Sequence, residues 1–301
     1  MDRATRVSAV GTVVAVAIGA GLAWAGSQGG HRVGTVPVYA LCVAVAFLIQ
    51  WLAFVPAWRN RTERFYDLTG GITYITVTLL ALLLAPGVDA RSLLVAALVI
   101  VWATRLASFL FMRIRAAGED RRFHEIKQSF ARFLLAWTLQ GLWVAFSLAA
   151  ALAVVTSTGR REMDLFAGVG LLVWLAGFSV EVIADRQKSA FNARAENRGR
   201  FISTGLWSWS RHPNYFGEIV LWVGVAVIAL PVLRGWQYAT LVSPLFITLL
   251  LTRISGIPLL ERRADEKWGG EAAYESYKAR TSVLIPRPPK AAAVVPLDNG
   301  A

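Results

Sequence analysis

The sequence predicts an all-α, multipass membrane helical bundle of about eight helices, on three observations. Hydrophobic residues make up 56% of the 301 and charged residues only 17%, where a soluble domain carries about 25% charged. The apolar excess collects in nearly uncharged runs of about 17–24 residues, the length a helix needs to cross roughly 30 Å of hydrocarbon. The runs show no period-two alternation, which excludes the strands of a membrane barrel.

Eight runs fit, near 8–26, 36–57, 68–86, 92–112, 133–156, 164–184, 216–233 and 238–259. The third is the least complete, because Pro86 and two glycines bound a short core; without it the bundle has seven spans. The first follows Arg3 and Arg6 as a signal peptide would. Its length, and a second span directly after it, predict a retained helix instead.

Lys and Arg collect in loops that stay in the cytoplasm. With both ends inside, the outside loops hold only Arg32, Arg91, Arg160, Arg161 and Arg234 of the 31 basic residues. Arg105 and Arg253 lie within spans, and the remainder face inward. This bias predicts an even number of spans, both termini cytoplasmic, and residence in the inner (cytoplasmic) membrane. The net charge of +12 then reports topology and contact with anionic headgroups, worth about 1 kcal/mol per residue near the surface. Holding a polyanionic cofactor is the other use open to it. Nucleic acid is not an expected partner, because the cations are split among short loops with no recognition module. Cys42 is the single cysteine, so neither an intrachain disulfide nor a cysteine-based metal site can form. His31, His124 and His212 lie far apart in the chain, and no metal site is expected.

No soluble domain is present. Residues 1–58 form an N-terminal pair of spans, 59–290 a membrane domain with polar loops, and 291–301 a disordered tail. The 260–286 stretch has amphipathic helical character and suits the membrane surface.

The polar residues with chemical promise cluster in a few places. In Arg211-His212-Pro213-Asn214-Tyr215-Phe216-Gly217-Glu218, Pro213 biases His212 towards an extended backbone, so a helix starts at or after Pro213. Asn214 and Glu218 share one face of that helix. An acid one turn inside an apolar span is costly and is a functional candidate by default. Glu181 and Asp185 repeat the four-residue spacing near the cytoplasmic end of the sixth span. Like charges so placed need cations or donors between them, and Lys188 is one turn away. The plain alternatives are a helix start and a solvated helix end. Asp67 begins the third span and serves either as its N-cap or as an acid facing a cavity. Arg105, mid-span, must find an anion or carbonyl inside the bundle. No dinucleotide-binding glycine motif after a strand, no P-loop and no nucleophile elbow is present.

Several of these segments together resemble a known family. Ala184-Asp185-Arg186-Gln187-Lys188-Ser189-Ala190-Phe191, Asn197-Arg198-Gly199-Arg200-Phe201, Gly205-Leu206-Trp207, Ser210 through Glu218, and Tyr274-x-x-Tyr277-x-x-Arg280-Thr281-Ser282-x-x-Ile285-Pro286 are similar to the DUF1295 membrane proteins, bacterial relatives of the steroid 5α-reductases. Gly118-Glu119-Asp120-x-Arg122 and Trp102-x-x-Arg105-Leu106 fit the same pattern. The resemblance covers about residues 60–290. It implies NADPH held by the cytoplasmic loops and C-terminal spans, and hydride delivered to a conjugated carbon–carbon double bond of an apolar or lipid substrate. It implies cofactor contacts from Asn214, Glu218 and Asp185, with Glu181, Lys188, Asn192, Arg198, Arg211, His212, Tyr215, Tyr274 and Tyr277 around them. The family's substrate-side glutamate, from a Gln-Glu pair, falls at Asp67, and Tyr66 replaces the Gln. The assisting tyrosine falls at Trp102, beside Arg105 on the substrate side. These departures leave the cofactor half the better match.

Isoprenylcysteine carboxyl methyltransferases, which use S-adenosylmethionine, also carry Arg-His-Pro-x-Tyr-x-Gly and a C-terminal Tyr-x-x-Tyr. The Asp185-x-x-Lys188 run and the Glu218 directly after Gly217 favour the reductase. A transporter or scaffold is a further alternative, but polar residues do not line a path through the whole membrane.

Overall fold

A computed structural model describes residues 2–117 and 123–289. The Gly118-Glu119-Asp120-x-Arg122 motif and the tail expected over 291–301 lie outside the described residues. The order is α1 (Arg3–Gly26), a hairpin of β1 (Arg32–Val33) and β2 (Val36–Pro37), α2 (Val38–Arg59), α3 (Tyr66–Leu84), α4 (Ala90–Ala117), α5 (Phe130–Ser147), α6 (Ala149–Thr156), α7 (Leu165–Ala193), α8 (Pro213–Ala229), α9 (Val242–Leu249), α10 (Ile257–Trp268) and α11 (Ala272–Arg280).

Each apolar run falls on helix, as lipid demands of any backbone it surrounds. Among the described residues, six segments are long and apolar enough to span: α1, α2, α3, Ala90–Met112, α7 and Gly235–Trp268. The run over 133–156 is a helix pair, α5 and α6, bent by 56° at Leu148. As one span it makes seven. The run over 216–233 is α8, an apolar helix of 17 residues, at the lower limit for a crossing. The protein is an all-α multipass membrane bundle.

The chain divides into two units. The first comprises Met1–Leu171 with Gly224–Phe246, the second Leu172–Val223 with Ile247–Ala301. In the first, α5 packs on α1 and α2, and α3 packs on α4. Leu83, Leu165 and Leu245 are 70–81% exposed, the surface a lipid-facing protein presents. Small residues bring helices close: a Cβ on Gly71 would stand 2.2 Å from that of Ala107. Polar side chains inside are tied off. Gln50 Nε2 donates to Thr73 Oγ1 at 2.7 Å, joining α2 to α3. The hydroxyls of Thr73, Thr78, Thr138 and Thr156 donate back to carbonyls four residues earlier, as they do in apolar helices. α6 is buried along its whole length.

One end of this unit is polar and tied together by side chains. Arg91, expected in a loop, is the second residue of α4 and has no exposed side-chain surface. Its Nη1 donates to the Ile228 carbonyl at 2.9 Å and its Nη2 to the Glu162 carbonyl at 2.6 Å. Asp164 pairs with it at 2.8 Å. Beside it, Arg160 donates to the Pro86 carbonyl, to Ser92 Oγ and to His31 Nε2 at 3.2 Å. His31 can accept there only as the neutral ring, and burial together with Arg160 depresses its pKa.

In the second unit, α7 and α8 run antiparallel in backbone contact. A Cβ on Gly177 would lie 2.6 Å from the Gly217 carbonyl, and one on Gly217 would lie 2.6 Å from the Gly177 carbonyl and from the Glu181 amide. Glycine is required on both sides for helices to approach this closely. Beyond α9, a π-helical turn over Leu250–Ile254 leads into α10. The 260–286 stretch, expected to be one amphipathic region, holds two helices, α10 and α11. Phe201 packs against Trp268, Tyr274 and Tyr277 from them.

Candidate cofactor site

The second unit contains the twelve residues that the sequence points to for the cofactor: Glu181, Asp185, Lys188, Asn192, Arg198, Arg211, His212, Asn214, Tyr215, Glu218, Tyr274 and Tyr277. α7 carries Glu181 and Asp185 on one face, 2% and 6% exposed. α8 begins at Pro213, whose missing N–H costs nothing at a helix start, and carries Asn214, half-buried, and Glu218, 7% exposed. The Gly177–Gly217 contact sets the backbone of Glu181 against the residue before Glu218. Asn192 and Arg198 are exposed.

Trp207 anchors the connecting loop. Its indole N–H donates to the Ala184 carbonyl of α7 at 3.0 Å. The Lys188 ammonium lies 4.5 Å from its ring centroid, a cation–π contact. The Tyr277 hydroxyl donates to its carbonyl at 2.7 Å. The turn leading into it needs Gly205 at φ +61°, where a Cβ would strike the Gln187 side chain at 2.6 Å. Gln187 Oε1 accepts the Leu206 amide at 2.9 Å.

The Ser210–His212 segment is held from two sides. Ser210 Oγ donates to the Leu284 carbonyl at 2.7 Å and accepts the His212 amide at 3.1 Å. The Arg211 amide donates to the Ser282 carbonyl at 2.8 Å, and the Arg287 amide to the Trp209 carbonyl at 3.0 Å. On the side-chain side, Glu261 of α10 takes Arg211 Nη1 at 2.5 Å and His212 Nε2 at 2.7 Å. A carboxylate accepts, so Nε2 carries the proton. The His212 ring stacks parallel on Tyr215, 5.7 Å between centroids. Burial depresses the His212 pKa, with Lys188 and Arg211 helping and Glu261 opposing. Burial outweighs the opposing Glu261 carboxylate, and the ring's pKa lies below the ordinary histidine value. Tyr274 donates to Asp265 at 3.1 Å, and burial with that bond pushes its pKa up to about 12. Burial likewise raises that of Tyr277.

Glu261 has no place in the sequence-based set. Its signal is periodicity: it lies four residues after Ile257, which is buried, and so shares the inward face of α10.

The substrate-side residues belong to the first unit. Asp67 is not the N-cap that one reading made it. Phe65 holds that position and Asp67 sits in the first turn of α3, half-buried. Tyr66 donates its hydroxyl to the Ala136 carbonyl at 2.8 Å and packs on Phe123 and Trp137. Trp102 is buried, edge-on to Tyr74. Arg105 lies 5.7 Å from the Phe109 ring.

The donor set in the second unit fits NADPH. Buried carboxylates are acceptors suited to ribose hydroxyls and a carboxamide, while the exposed cations from Arg186 to Arg200 suit phosphates, which guanidinium groups bind bidentately.

Residues 53–281 match the family described as a protein of unknown function, DUF1295. The chain is 28% identical over 118 residues to 3-oxo-5-alpha-steroid 4-dehydrogenase 1 of Rattus norvegicus, covering 39% of this chain and 40% of that protein. It is 28% identical over 120 residues to steroid 5-alpha-reductase DET2 of Arabidopsis thaliana, with the same coverage. The aligned part thus spans about two fifths of the length of these curated relatives. No solved structure matches.

Proposed function

The chain belongs to the DUF1295 family, and from that premise we propose that it is a membrane-embedded, NADPH-dependent reductase acting on a conjugated carbon–carbon double bond of an apolar enone, such as a steroid or another lipid. The observation that carries this reading is the glycine contact that sets Glu181, one turn before Asp185, against the Gly217–Glu218 corner. Asp185 lies one turn from Glu181, and Asn214 and Glu218 lie within one turn of Gly217, which supports a shared set of acceptors. The similarity to two steroid reductases supports it.

NADPH, bound from the cytoplasmic side of the inner membrane, would supply hydride to the β-carbon of the enone. Glu181, Asp185, Asn214 and Glu218 hold hydroxyl and amide groups. Arg198 and its exposed neighbours hold phosphate oxygens. Negative charge would build on the substrate carbonyl, and a donor aimed at it in a water-free site contributes about 3–4 kcal/mol. A protonated Asp67 would be that donor, since the Tyr66 hydroxyl donates to the Ala136 carbonyl. Trp102 and Arg105 flank the substrate. The apolar substrate enters from the lipid.

The test is titration of detergent-purified protein with NADPH and with S-adenosylmethionine. NADPH binding that disappears in Asn214→Ala and Glu218→Ala is expected. Methyl-donor binding without NADPH binding overturns the proposal.

A further inference from the structure

A cavity of about 930 Å³ lies between α1 and α2, within the first unit. It is far larger than the space beside Asp89 and Arg161, about 310 Å³. Its lining residues all precede residue 53, so it falls outside the family match and outside both residue sets discussed above.

The cavity is amphipathic along its length. Its body is apolar, walled by Val16, Ala20, Ala44 and Phe47, and its mouth is polar, with Gln28 and Arg32 at the α1–α2 hairpin. Small residues make the space: Ala20 and Ala44 are exposed and face outward. From Val16 to Gly26 the helix rises about 15 Å, which is half of a hydrocarbon core of about 30 Å. The groove is thus one leaflet deep, and its mouth lies at headgroup level. Water does not fill an apolar groove in a bilayer, and an empty one forfeits dispersion contacts along both walls. A chain must occupy it. Arg32 is exposed at the mouth and presents a guanidinium, the group best matched to a phosphate diester.

We infer that this groove binds one glycerophospholipid with a net-negative headgroup, from the leaflet that carries the α1–α2 hairpin. One acyl chain lies between Ala20 and Ala44, and the phosphate rests on Arg32.

The test is native mass spectrometry of the full chain in detergent with equal amounts of phosphatidylglycerol and phosphatidylcholine of the same acyl composition. The parent protein retains one phosphatidylglycerol. The groove-filling variant Ala20→Phe/Ala44→Phe retains one lipid fewer at unchanged helicity, because both positions face outward and nothing inside must move. Arg32→Gln keeps the lipid but loses about fivefold of the preference for phosphatidylglycerol, the worth of one basic residue at an anionic surface. Equal lipid retention by the parent and the filled variant overturns the site. An unchanged preference in Arg32→Gln overturns the choice of an anionic lipid.

Discussion

His212 Nε2 lies 2.7 Å from Glu261 Oε1, joining positions 49 residues apart in the chain. The second carboxylate oxygen takes Arg211. One side chain of α10 therefore fixes both residues that precede α8. Glu261→Ala is expected to cost about 1.5–3 kcal/mol, the usual worth of hydrogen bonds to a charged group. Glu261→Gln, which can still accept from His212, costs less. Thermal melting in detergent reads both; an alanine variant that melts with the parent removes Glu261 from this role.

The same histidine gives the protein a pH dependence. Its pKa is depressed on folding, so below the unfolded value of about 6.5 the unfolded chain binds more protons than the folded one. The stability contribution is complete above that value and falls away as pH drops towards the folded pKa. Melting temperature should fall between pH 7.5 and pH 5, and His212→Gln should flatten the fall. His31, depressed in the same sense, contributes a residual slope. A profile identical in His212→Gln contradicts the assignment.

Gly177 and Gly217 meet backbone, which cannot move aside. Gly217→Ala is expected to lose at least the 1–3 kcal/mol typical of overpacking and to weaken NADPH binding. Gly168 has open space where its Cβ would go. Gly168→Ala should match or slightly exceed the parent in stability, since alanine is the better helix former by about 1 kcal/mol. Equal melting of the two variants would contradict the close contact.

Arg91→Ala strips partners from the Ile228 and Glu162 carbonyls and from Asp164. Each buried group left unsatisfied costs about 1–3 kcal/mol. Low folded yield in detergent chromatography is expected, and Asp164→Asn, at a half-exposed position, should be milder.

Asp67→Ala should lower the rate of NADPH-dependent enone reduction by about 10²–10³-fold, the range for loss of a polarising donor. Tyr66→Phe should leave the rate nearly unchanged and cost about 1 kcal/mol of stability from the lost bond to Ala136. The reverse pattern would move the donor role to Tyr66.

The apolar runs are legible as helix because lipid forces long apolar segments into helix, although among the described residues six or seven of them, not eight, are long enough to span. The break at Leu148 was not, because the run from Phe133 to Thr156 is apolar throughout and nothing in its pattern marks a bend. Placement of Glu181, Asp185, Asn214 and Glu218 followed from four-residue spacing and proline chemistry. The Glu261 clamp stayed hidden because its partners come from a distant segment. Arg91 was misplaced because a basic residue at a span end reads as loop, and only tertiary carbonyls explain its burial. The bond from Tyr66 to the Ala136 carbonyl has no mark in the sequence, because its acceptor lies 70 residues away.

The bond from Ser210 to the Leu284 carbonyl bears on the order in which the protein is made. The loop before α8 leaves the ribosome more than seventy residues ahead of its partner. Until residue 284 emerges, Trp209 to His212 lack the segment that pairs with them, although α7 and α8 can already insert. The Ser210–His212 segment therefore gains its full set of hydrogen bonds only late in synthesis. A ribosome that stalls within α10 leaves an inserted chain with that segment still unpaired.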